Sequence, residues 1–441
     1  MLATTVAVIV ALAALLARVG ADAQWLAALG HVIAARRTIP AGVPFAAAPT
    51  SNWPNALVLA ELVFDGLERG LGDRGLMLAQ LLAVAVAMVI LARDARAGGA
   101  GEIGISGALL LAALGALPSL AIVRVQLFSL ILFPALVAIL RSQARSPSRA
   151  IWLVVPLLAL WSNLHGAALL GLGLVLAYLV LERGRRKPLL ALAVAGASVL
   201  ALGLTPALAQ TADYYQGVLT NLAAERGQGM WGPLSLSSPL DVLMLAVALL
   251  LAYRMWRARA PLWEWCTVAA LAVLTIKADR DGVWLLFFLV APAARALAPG
   301  RSLRALVPMA AAASLAAIGF AVVRGPAPSG ASNSVVAGAI ALAHGSPVLA
   351  DGSIDEQVAL AGGRIWAGNP IDAFSRPVQA AYLDWLAGDA SGRQALAPAV
   401  KVVLVSRGTQ TQILMARMPG FAAVGGDRGT AMYERVGLQV Q

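Results

Sequence analysis

Runs of apolar residues long enough to cross a bilayer recur along the first three quarters of the chain. A transmembrane helix needs about 17–25 predominantly apolar residues, and about eleven segments approach that length with few charges. The pattern therefore predicts a mainly α, polytopic helical bundle of about eleven transmembrane helices. They lie near residues 2–20, 75–92, 104–121, 125–140, 151–165, 166–181, 188–206, 239–256, 261–277, 282–298 and 304–323.

Composition supports the membrane assignment. The 441 residues are 60% hydrophobic and 12% charged, with a mean hydropathy of +0.80, whereas roughly 25% of the residues in a soluble domain are charged. Cys266 is the single cysteine, which excludes an internal disulfide and a cysteine-based metal site. The three histidines are too scattered to have a recognisable metal-ligand spacing.

The distribution of arginine and lysine predicts how the chain is threaded. With the N-terminus inside, the loops 93–103, 141–149, 182–187, 254–260 and 295–304 are cytoplasmic and carry most of the loop arginines. The shorter loops on the opposite side carry only Arg124, Arg226, Lys277 and Arg280. Cytoplasmic loops are enriched in basic residues, so the N-terminus is predicted inside and Asp22 outside. The net charge of +11 then reflects topology and does not indicate nucleic-acid binding.

The first apolar run has a second interpretation as a cleaved signal peptide. Ala21-Asp22-Ala23 fits the small-x-small pattern of a cleavage site. However, no basic residue precedes the run and Arg18 interrupts its end. We therefore expect the span to be retained, which keeps Asp22 in the protein at the membrane face.

The long loop at residues 21–74 follows this span. Trp25 and Trp53 suit a membrane–water interface. If residues 55–69 are helical, Glu61, Asp65 and Glu68 share one face. Such a stripe is more often a solvated face than a site. Glu61 is the acid most embedded among apolar residues, so it is the one kept as a candidate.

Further polar residues are predicted on the same side as Asp22. Arg124 and Gln126 lie at one span end, Asn163 and His165 at the next, and Arg280 at a third. Each alone has an ordinary structural explanation, such as a snorkelling arginine or a histidine bonded to a carbonyl. Together they form one polar layer at one membrane face. That asymmetry favours a site at the outer interface over a channel or a through-membrane relay.

After residue 324 the character of the sequence changes. Residues 325–441 hold equal numbers of acidic and basic residues and begin with a Gly/Pro/Ser-rich linker. The chain is therefore divided into a membrane domain, 1–324, and a small extracytoplasmic α/β domain, 325–441. Its strands are predicted at 347–350, 364–367, 400–405, 421–424 and 431–436, and its helices at 354–361, 377–387 and 410–417.

The most distinctive stretch of this domain is residues 369–376. A structural turn with a local pair between Asp372 and Arg376 is favoured over a contact with substrate. The sequence contains no phosphate loop, nucleophile elbow or zinc motif.

Three features of the chain resemble bacterial members of the GT-C class of polytopic glycosyltransferases. The first is the acidic residue just beyond the first span, Asp22, followed by a loop with Pro40, Pro44 and a Trp53-Pro54 segment. The second is a pair of motifs, Arg124-Val-Gln126-Leu-Phe-Ser and Trp161-Ser-Asn163-Leu-His165-Gly166. They are similar to the Arg-Pro-Gln-Leu-Phe-Ser and Trp-x-Asn-x-His-Gly patterns of that class. The third is an extracytoplasmic C-terminal domain.

The resemblance implies an enzyme of the bacterial cytoplasmic (inner) membrane. It would take a sugar from a polyprenyl-phosphate donor and transfer it to a cell-envelope acceptor on the outer face. Asp22 would be the base that deprotonates the acceptor hydroxyl, and Arg124 and Arg280 would hold the phosphate. Gln126, Asn163 and His165 would bind phosphate or sugar hydroxyls, and Glu61 would be a second acid. One carboxylate with a distant second one does not indicate a divalent cation, so no metal or cofactor is assigned.

Two positions depart from the class patterns. Val125 stands where proline is usual, and Met230 precedes Trp231 where glutamate is expected. The alternative is a non-catalytic transport or assembly component for envelope polysaccharide. A transporter should carry polar residues near the bilayer midplane, often at broken helices, and the sequence largely lacks them.

Overall fold

The computed structural model describes residues 1–50, 53–297 and 307–436. Six short strands occur in that part of the chain: β1 (Arg18–Val19), β2 (Ile122–Val123), β3 (Val348–Ala350), β4 (Val402–Ser406), β5 (Phe421–Gly426) and β6 (Thr430–Arg435). Its α-helices are α1 (Leu2–Leu15), α2 (Ala23–Arg36), α3 (Val58–Leu71), α4 (Asp73–Ala97), α5 (Glu102–Gly115), α6 (Leu117–Ala121), α7 (Leu127–Arg145), α8 (Val154–Ser162), α9 (Ala168–Tyr178), α10 (Pro188–Leu202), α11 (Thr211–Thr220), α12 (Leu222–Arg226), α13 (Pro239–Arg257), α14 (Leu262–Lys277), α15 (Gly282–Ala296), α16 (Val307–Arg324), α17 (Asn333–Ala343), α18 (Gly352–Leu360), α19 (Arg376–Ala387) and α20 (Gln410–Ala416).

These elements form two compact units. The helical unit comprises Met1–Arg18, Asp73–Ala209 and Gly229–Ala327. The mixed unit comprises Val19–Gly72, Gln210–Gln228 and Pro328–Gln441. The C-terminal segment thus forms one body with two earlier loops, the long one after the first apolar run and the shorter one at 210–228.

The helical unit is built around α15. Every residue from Gly282 to Ala294 is buried, as expected for an apolar helix surrounded by others. Helices α4, α5, α13 and α14 pack against it. Gly104 permits α5 to approach closely, since a Cβ there would collide with the Ala294 carbonyl.

The outside of the helical unit is apolar. On α10, Leu189, Leu192 and Leu200 are 82%, 71% and 75% exposed, a pattern suited to lipid rather than water. Four helices of the described chain are long and apolar enough to cross a membrane: Asp73–Ala97, Leu127–Arg145, Pro239–Arg257 and Val307–Arg324. The mainly helical class with a small sheet is confirmed, while the number of spans stays a prediction.

Arg141 is a buried charge of the helical unit with several partners. It is buried on α7 and forms ion pairs with Asp94 of α4 at 3.0 Å and Glu264 of α14 at 2.8 Å. Its third contact is with the Phe288 carbonyl of α15 at 2.8 Å, and its guanidinium lies 4.6 Å from the centre of that ring. One side chain therefore joins four helices.

The mixed unit contains a four-stranded sheet in the order β3-β4-β6-β5. Strands β3 and β4 are parallel, and the other pairs are antiparallel with a bulge near Gly425. The parallel strands β3 and β4 are almost wholly buried. Helices α17, α18 and α20 pack on these strands, which places the sheet in an α/β core.

The long first loop adds to the edge of this sheet. Ile365 forms a parallel bridge with Val348 of β3 and a second one with Ala46 of the first loop. The Ala47 and Ala48 N–H groups donate to the carbonyls of Ile365 and Trp366 at 2.8 and 3.0 Å. Main-chain hydrogen bonds therefore make the loop part of the C-terminal fold.

The predicted strands and helices of the C-terminal domain are confirmed within a few residues, with the 364–367 strand reduced to isolated bridges. Helix α17 was not predicted, because its short Ala- and Gly-containing sequence follows the linker directly. In the first loop, the solvated acidic face on α3 is wrong for Glu61 and Asp65, which are buried. Helix α2 covers them closely at Gly30, where a Cβ would collide with the Glu61 carbonyl.

We expect Arg141→Met to destabilise the protein strongly, because the substitution leaves Asp94 and Glu264 buried without their cation. Breaking a buried pair in this way costs about 3–5 kcal/mol. The matched control is Arg96→Met, whose pair with Glu102 is more than half exposed on both sides and should contribute little. Thermal unfolding of the purified protein in detergent measures both, and equal losses would contradict the assignment.

Candidate active site

The N-terminus of the buried helix α2 is capped by a residue far away in the sequence. Helix ends leave backbone N–H groups that need acceptors. The carboxylate of Glu356, on α18, accepts from the N–H groups of Asp22, Gln24 and Trp25 at 2.8, 3.2 and 3.4 Å. Glu356 is only 1% exposed. A buried carboxyl group is thus placed at the positive end of the helix.

Asp22 occupies the N-cap position of α2 without capping the helix through its side chain. Its backbone is left-handed, with φ 78° and ψ −20°, a region that aspartate tolerates better than most residues. The Trp25 indole and the Asn369 amide each donate to its Oδ1 atom at 3.4 Å. The helix start therefore presents the Asp22 carboxylate to polar and aromatic side chains.

Asn369 joins the two carboxylates. Its Nδ2 atom donates to Glu356 Oε1 at 2.8 Å as well as to Asp22. Its backbone N–H donates to Asp355 Oδ2 at 3.1 Å. Burial raises the pKa of Glu356 to about 7, and the Asp22 charge adds to that rise. The charge of Asp22 therefore disfavours ionisation of Glu356.

The predicted local pair between Asp372 and Arg376 is wrong. Arg376 instead forms a bidentate pair with Glu225 of α12, at 2.9 and 2.6 Å. Asp372 accepts from the Trp53 indole at 2.8 Å. The Arg376 guanidinium, on the first turn of α19, therefore pairs with Glu225 of the 210–228 segment and not with Asp372, four residues before it.

Aromatic residues surround the acids. Trp53 meets Trp25 edge to face at a centroid distance of 6.3 Å. Tyr214 of α11 is buried, and burial raises its pKa well above the usual value, with Asp372 and Asp22 adding to the rise. The group around Asp22 therefore combines carboxylates with flat apolar faces, the combination that sugar rings contact.

Glu61, the second predicted acid, is fully buried on α3. The Asn55 amide donates to its Oε2 atom at 2.8 Å, and among the described residues Oε1 has no partner. Burial raises its pKa to about 8. At neutral pH it is mainly a protonated acid, near enough to Tyr214 to affect that residue's ionisation.

His165, in the helical unit, is held by its neighbours. The Trp161 indole donates to Ser129 Oγ at 2.7 Å, and Ser129 Oγ lies 2.6 Å from His165 Nδ1. With Ser129 accepting from Trp161, its own proton is available for Nδ1. This series of hydrogen bonds favours the His165 tautomer with the proton on Nε2. The other side of the imidazole ring is then a hydrogen-bond donor.

Arg124 and Arg280 belong to the same neighbourhood of the helical unit. Both are close enough to Asp279 to affect its ionisation, and Arg280 also interacts electrostatically with His165. The Arg280 guanidinium stacks on Trp231 at 3.7 Å from the ring centre. The helical unit therefore gathers two guanidiniums and an imidazole, the donor set that suits a phosphate.

The other two predicted residues of the helical unit have structural contacts. Gln126 is the N-cap residue of α7, and its carbonyl accepts from Leu130 N–H at 3.1 Å. Asn163 Nδ2 donates to the carbonyls of Ala159 and Leu204 at 2.8 and 2.7 Å. Both amide protons of Asn163 are thus committed to the backbone.

The predicted residues therefore fall into two groups. Asp22 and Glu61 belong to the mixed unit, and Arg124, Gln126, Asn163, His165 and Arg280 belong to the helical unit. Sequence reasoning missed Glu356, whose bond to Asp22 spans 334 residues, and no local motif marks it. Across residues 1–50, 53–297 and 307–436, no three His, Cys, Asp or Glu side chains are placed to hold a metal ion.

No protein-family model matches the chain, and no curated protein matches it. Among solved structures, the chain is similar over 99% of its length to a variant of the arabinofuranosyltransferase AftD from mycobacteria, with 16% identity and a TM-score of 0.53. It covers 41% of that protein. It is also similar over 99% of its length to ArnT from Cupriavidus metallidurans bound to undecaprenyl phosphate, with 13% identity, a TM-score of 0.55 and 97% of ArnT covered. The resemblance to GT-C class membrane glycosyltransferases is confirmed at the level of the fold.

The raised pKa values of Glu61 and Glu356 predict that the mixed unit loses stability as the pH rises. Glu61 holds its proton to about pH 8 when folded but only to about 4.5 otherwise. The stability that depends on protonated Glu61 is therefore fully present below pH 4.5 and is lost as the pH rises through 8. The raised pKa of Glu356 likewise lowers the free energy of unfolding as the pH rises to about 7. Between pH 5 and 8 we expect a decrease on the order of 6 kcal/mol in the free energy of unfolding.

Thermal unfolding across pH 5–9 measures this slope. Glu61→Gln should flatten it and raise stability at pH 8, since the neutral amide needs no proton. Asp389→Asn, at an exposed position, is the matched control and should keep the wild-type slope. A slope unchanged in Glu61→Gln would contradict the assignment.

Proposed function

We propose that the protein is an integral membrane glycosyltransferase. It moves a sugar from a polyprenyl-phosphate donor to a cell-envelope acceptor on the outer face of the bacterial cytoplasmic membrane. The observation that carries the proposal is Asp22, held at the start of a buried helix by Glu356, Trp25 and Asn369. The fold shared with AftD and ArnT supports it.

In the proposed reaction Asp22 is the general base. It takes the proton of an acceptor hydroxyl while that oxygen bonds to the anomeric carbon of the sugar. The bond between this carbon and the phosphate oxygen breaks, and the polyprenyl phosphate leaves with the electron pair. The apolar faces of Trp25 and Trp53 are suited to pack against a sugar ring.

The phosphate role is assigned to Arg124 and Arg280. Guanidiniums form strong charge-assisted bonds to phosphate oxygens and offset the charge that develops as the phosphate leaves. The Nε2 proton of His165 supplies a further donor. Gln126 and Asn163 are proposed to support this group, and Glu61 is proposed to contact sugar hydroxyls as a neutral acid.

The proposed topology places the N-terminus inside and the C-terminal domain outside, with about eleven spans in residues 1–324. The basic residues of the alternate loops support this orientation. It puts the whole mixed unit, including Asp22, in the extracytoplasmic space.

We expect Asp22→Asn to lower the rate of sugar transfer by roughly 10²–10⁴-fold, since a positioned base contributes about that much. Donor binding should be nearly unchanged. The assay uses protein in liposomes with a panel of radiolabelled sugars on undecaprenyl phosphate, and it counts hydrolysis of the donor as well as transfer. Asp213→Asn, an exposed acid of the same unit, is the matched control; full activity of Asp22→Asn would refute the catalytic role.

Arg280→Ala should act differently. Loss of one charge-assisted phosphate contact should raise the KM for the donor roughly 10–100-fold. The matched control is Lys277→Ala, an exposed cation at the end of the preceding helix. If Arg280→Ala binds donor normally, the phosphate role is wrong; if wild-type protein processes no donor of the panel yet binds several, the transport or assembly alternative gains support.

A further inference from the structure

The Glu356 carboxylate has an unusually complete set of partners. Three backbone N–H groups of the α2 start and the Asn369 amide donate to it. An ionised carboxylate offers about four acceptor sites, so these four donors use its whole capacity. No acceptor site is left on it for a substrate.

We propose that Glu356 is a positioning residue for Asp22. It fixes the backbone and the side-chain direction of Asp22 and tunes the affinity of that carboxylate for a proton. The inference rests on the proposed function, in which Asp22 is the base.

The first part of this role is the backbone of Asp22. A left-handed φ is disfavoured for a residue with a side chain and persists only when its surroundings impose it. The shortest of the backbone contacts to Glu356, at 2.8 Å, comes from the N–H of Asp22 itself. The Gln24 and Trp25 N–H groups bond to the other oxygen, so both sides of the carboxylate hold the first turn in place.

The second part is the side chain of Asp22. The Asn369 amide donates from one nitrogen to Glu356 and to Asp22. That nitrogen faces Asp22 only while Glu356 accepts from it. An amide at position 356 offers an acceptor on one side only. Its NH2 group would face either Asn369 and the Asp22 N–H or the N–H groups of Gln24 and Trp25, so one of these pairs of donors would lose its acceptor.

The third part is charge. Within the described part of the chain, the titratable groups found to interact with Glu356 are Asp22 at the start of α2, Asp355 beside it on α18 and Tyr382 from α19. All of them are neutral or negative. An ionised Glu356 therefore makes Asp22 a stronger base, because like charges favour proton uptake.

The test compares Glu356→Gln with Asp351→Asn in the liposome assay, using the undecaprenyl-phosphate sugar that gives the highest wild-type rate. Asp351 is another buried carboxylate of the mixed unit; it bonds Ser406 at 2.7 and 3.0 Å. Its substitution reports what a general loss of stability does to activity. The rate is recorded as kcat and KM between pH 5 and 9.

We expect Glu356→Gln to lower kcat roughly 10–100-fold, as misplacement of a reacting group does, with little change in KM. The acidic limb of the wild-type pH–rate profile should lie near pH 7, where Glu356 ionises, and should be lost in the glutamine variant, because position 356 can then no longer supply a negative charge beside Asp22. Asp351→Asn should keep the wild-type limb. A wild-type kcat and limb in Glu356→Gln, or a loss of activity that matches Asp351→Asn with the limb retained, would overturn the proposal.

Glu356→Asp covers the case in which the glutamine variant does not fold. It keeps the charge but is one methylene too short to reach all four donors, so kcat should fall while the acidic limb stays in place. A wild-type kcat would contradict the positioning role. Asp22→Asn, run in parallel, separates the two hypotheses: its full activity removes the base and the role of Glu356 with it, whereas its inactivity beside a normal Glu356→Gln rejects the positioning role alone.

Discussion

The bond between Glu356 and the start of α2 is the interaction on which the candidate active site depends. Helix α2 is buried from its first residue, and a buried helix end without acceptors is strongly unfavourable. The local N-cap residue, Asp22, does not supply the acceptor. A glutamate from the C-terminal fold supplies it, so the backbone of Asp22 is held by Glu356 while its side chain contacts Trp25 and Asn369.

The two units treat buried charge in opposite ways. In the helical unit Arg141 is matched by Asp94 and Glu264, so the charge is neutralised where water is excluded. In the mixed unit acids gather with aromatic residues, and their pKa values rise. The first arrangement joins helices. The second raises the pKa of buried carboxyl groups, that of Glu356 to about 7. Raised pKa values of this kind are common at sites of proton transfer.

The helical class and the secondary structure of the C-terminal domain were predictable because lipid and a sheet impose periodic patterns on nearby residues. The partners of Asp22 were not. Glu356 caps a helix 334 residues away. Arg376 pairs with Glu225, and the nearby Asp372 accepts from Trp53 instead. The acidic stripe on α3 looked solvated because nothing in its own sequence reveals that α2 covers it. Pairings of this kind depend on tertiary contacts.

The strand-like stretch of the first loop carries a consequence for biosynthesis. Phe45, Ala47 and Ala48 form main-chain hydrogen bonds with Ile365 and Trp366, which the ribosome produces much later. Until then the loop has exposed main-chain donors and a helix α2 without its cap. The hydrogen bonds of the loop therefore stay incomplete while the apolar helices between the two segments are made. Maturation of the candidate site is therefore coupled to synthesis of the last quarter of the chain, and a truncated product would lack the Glu356 contacts to the start of α2.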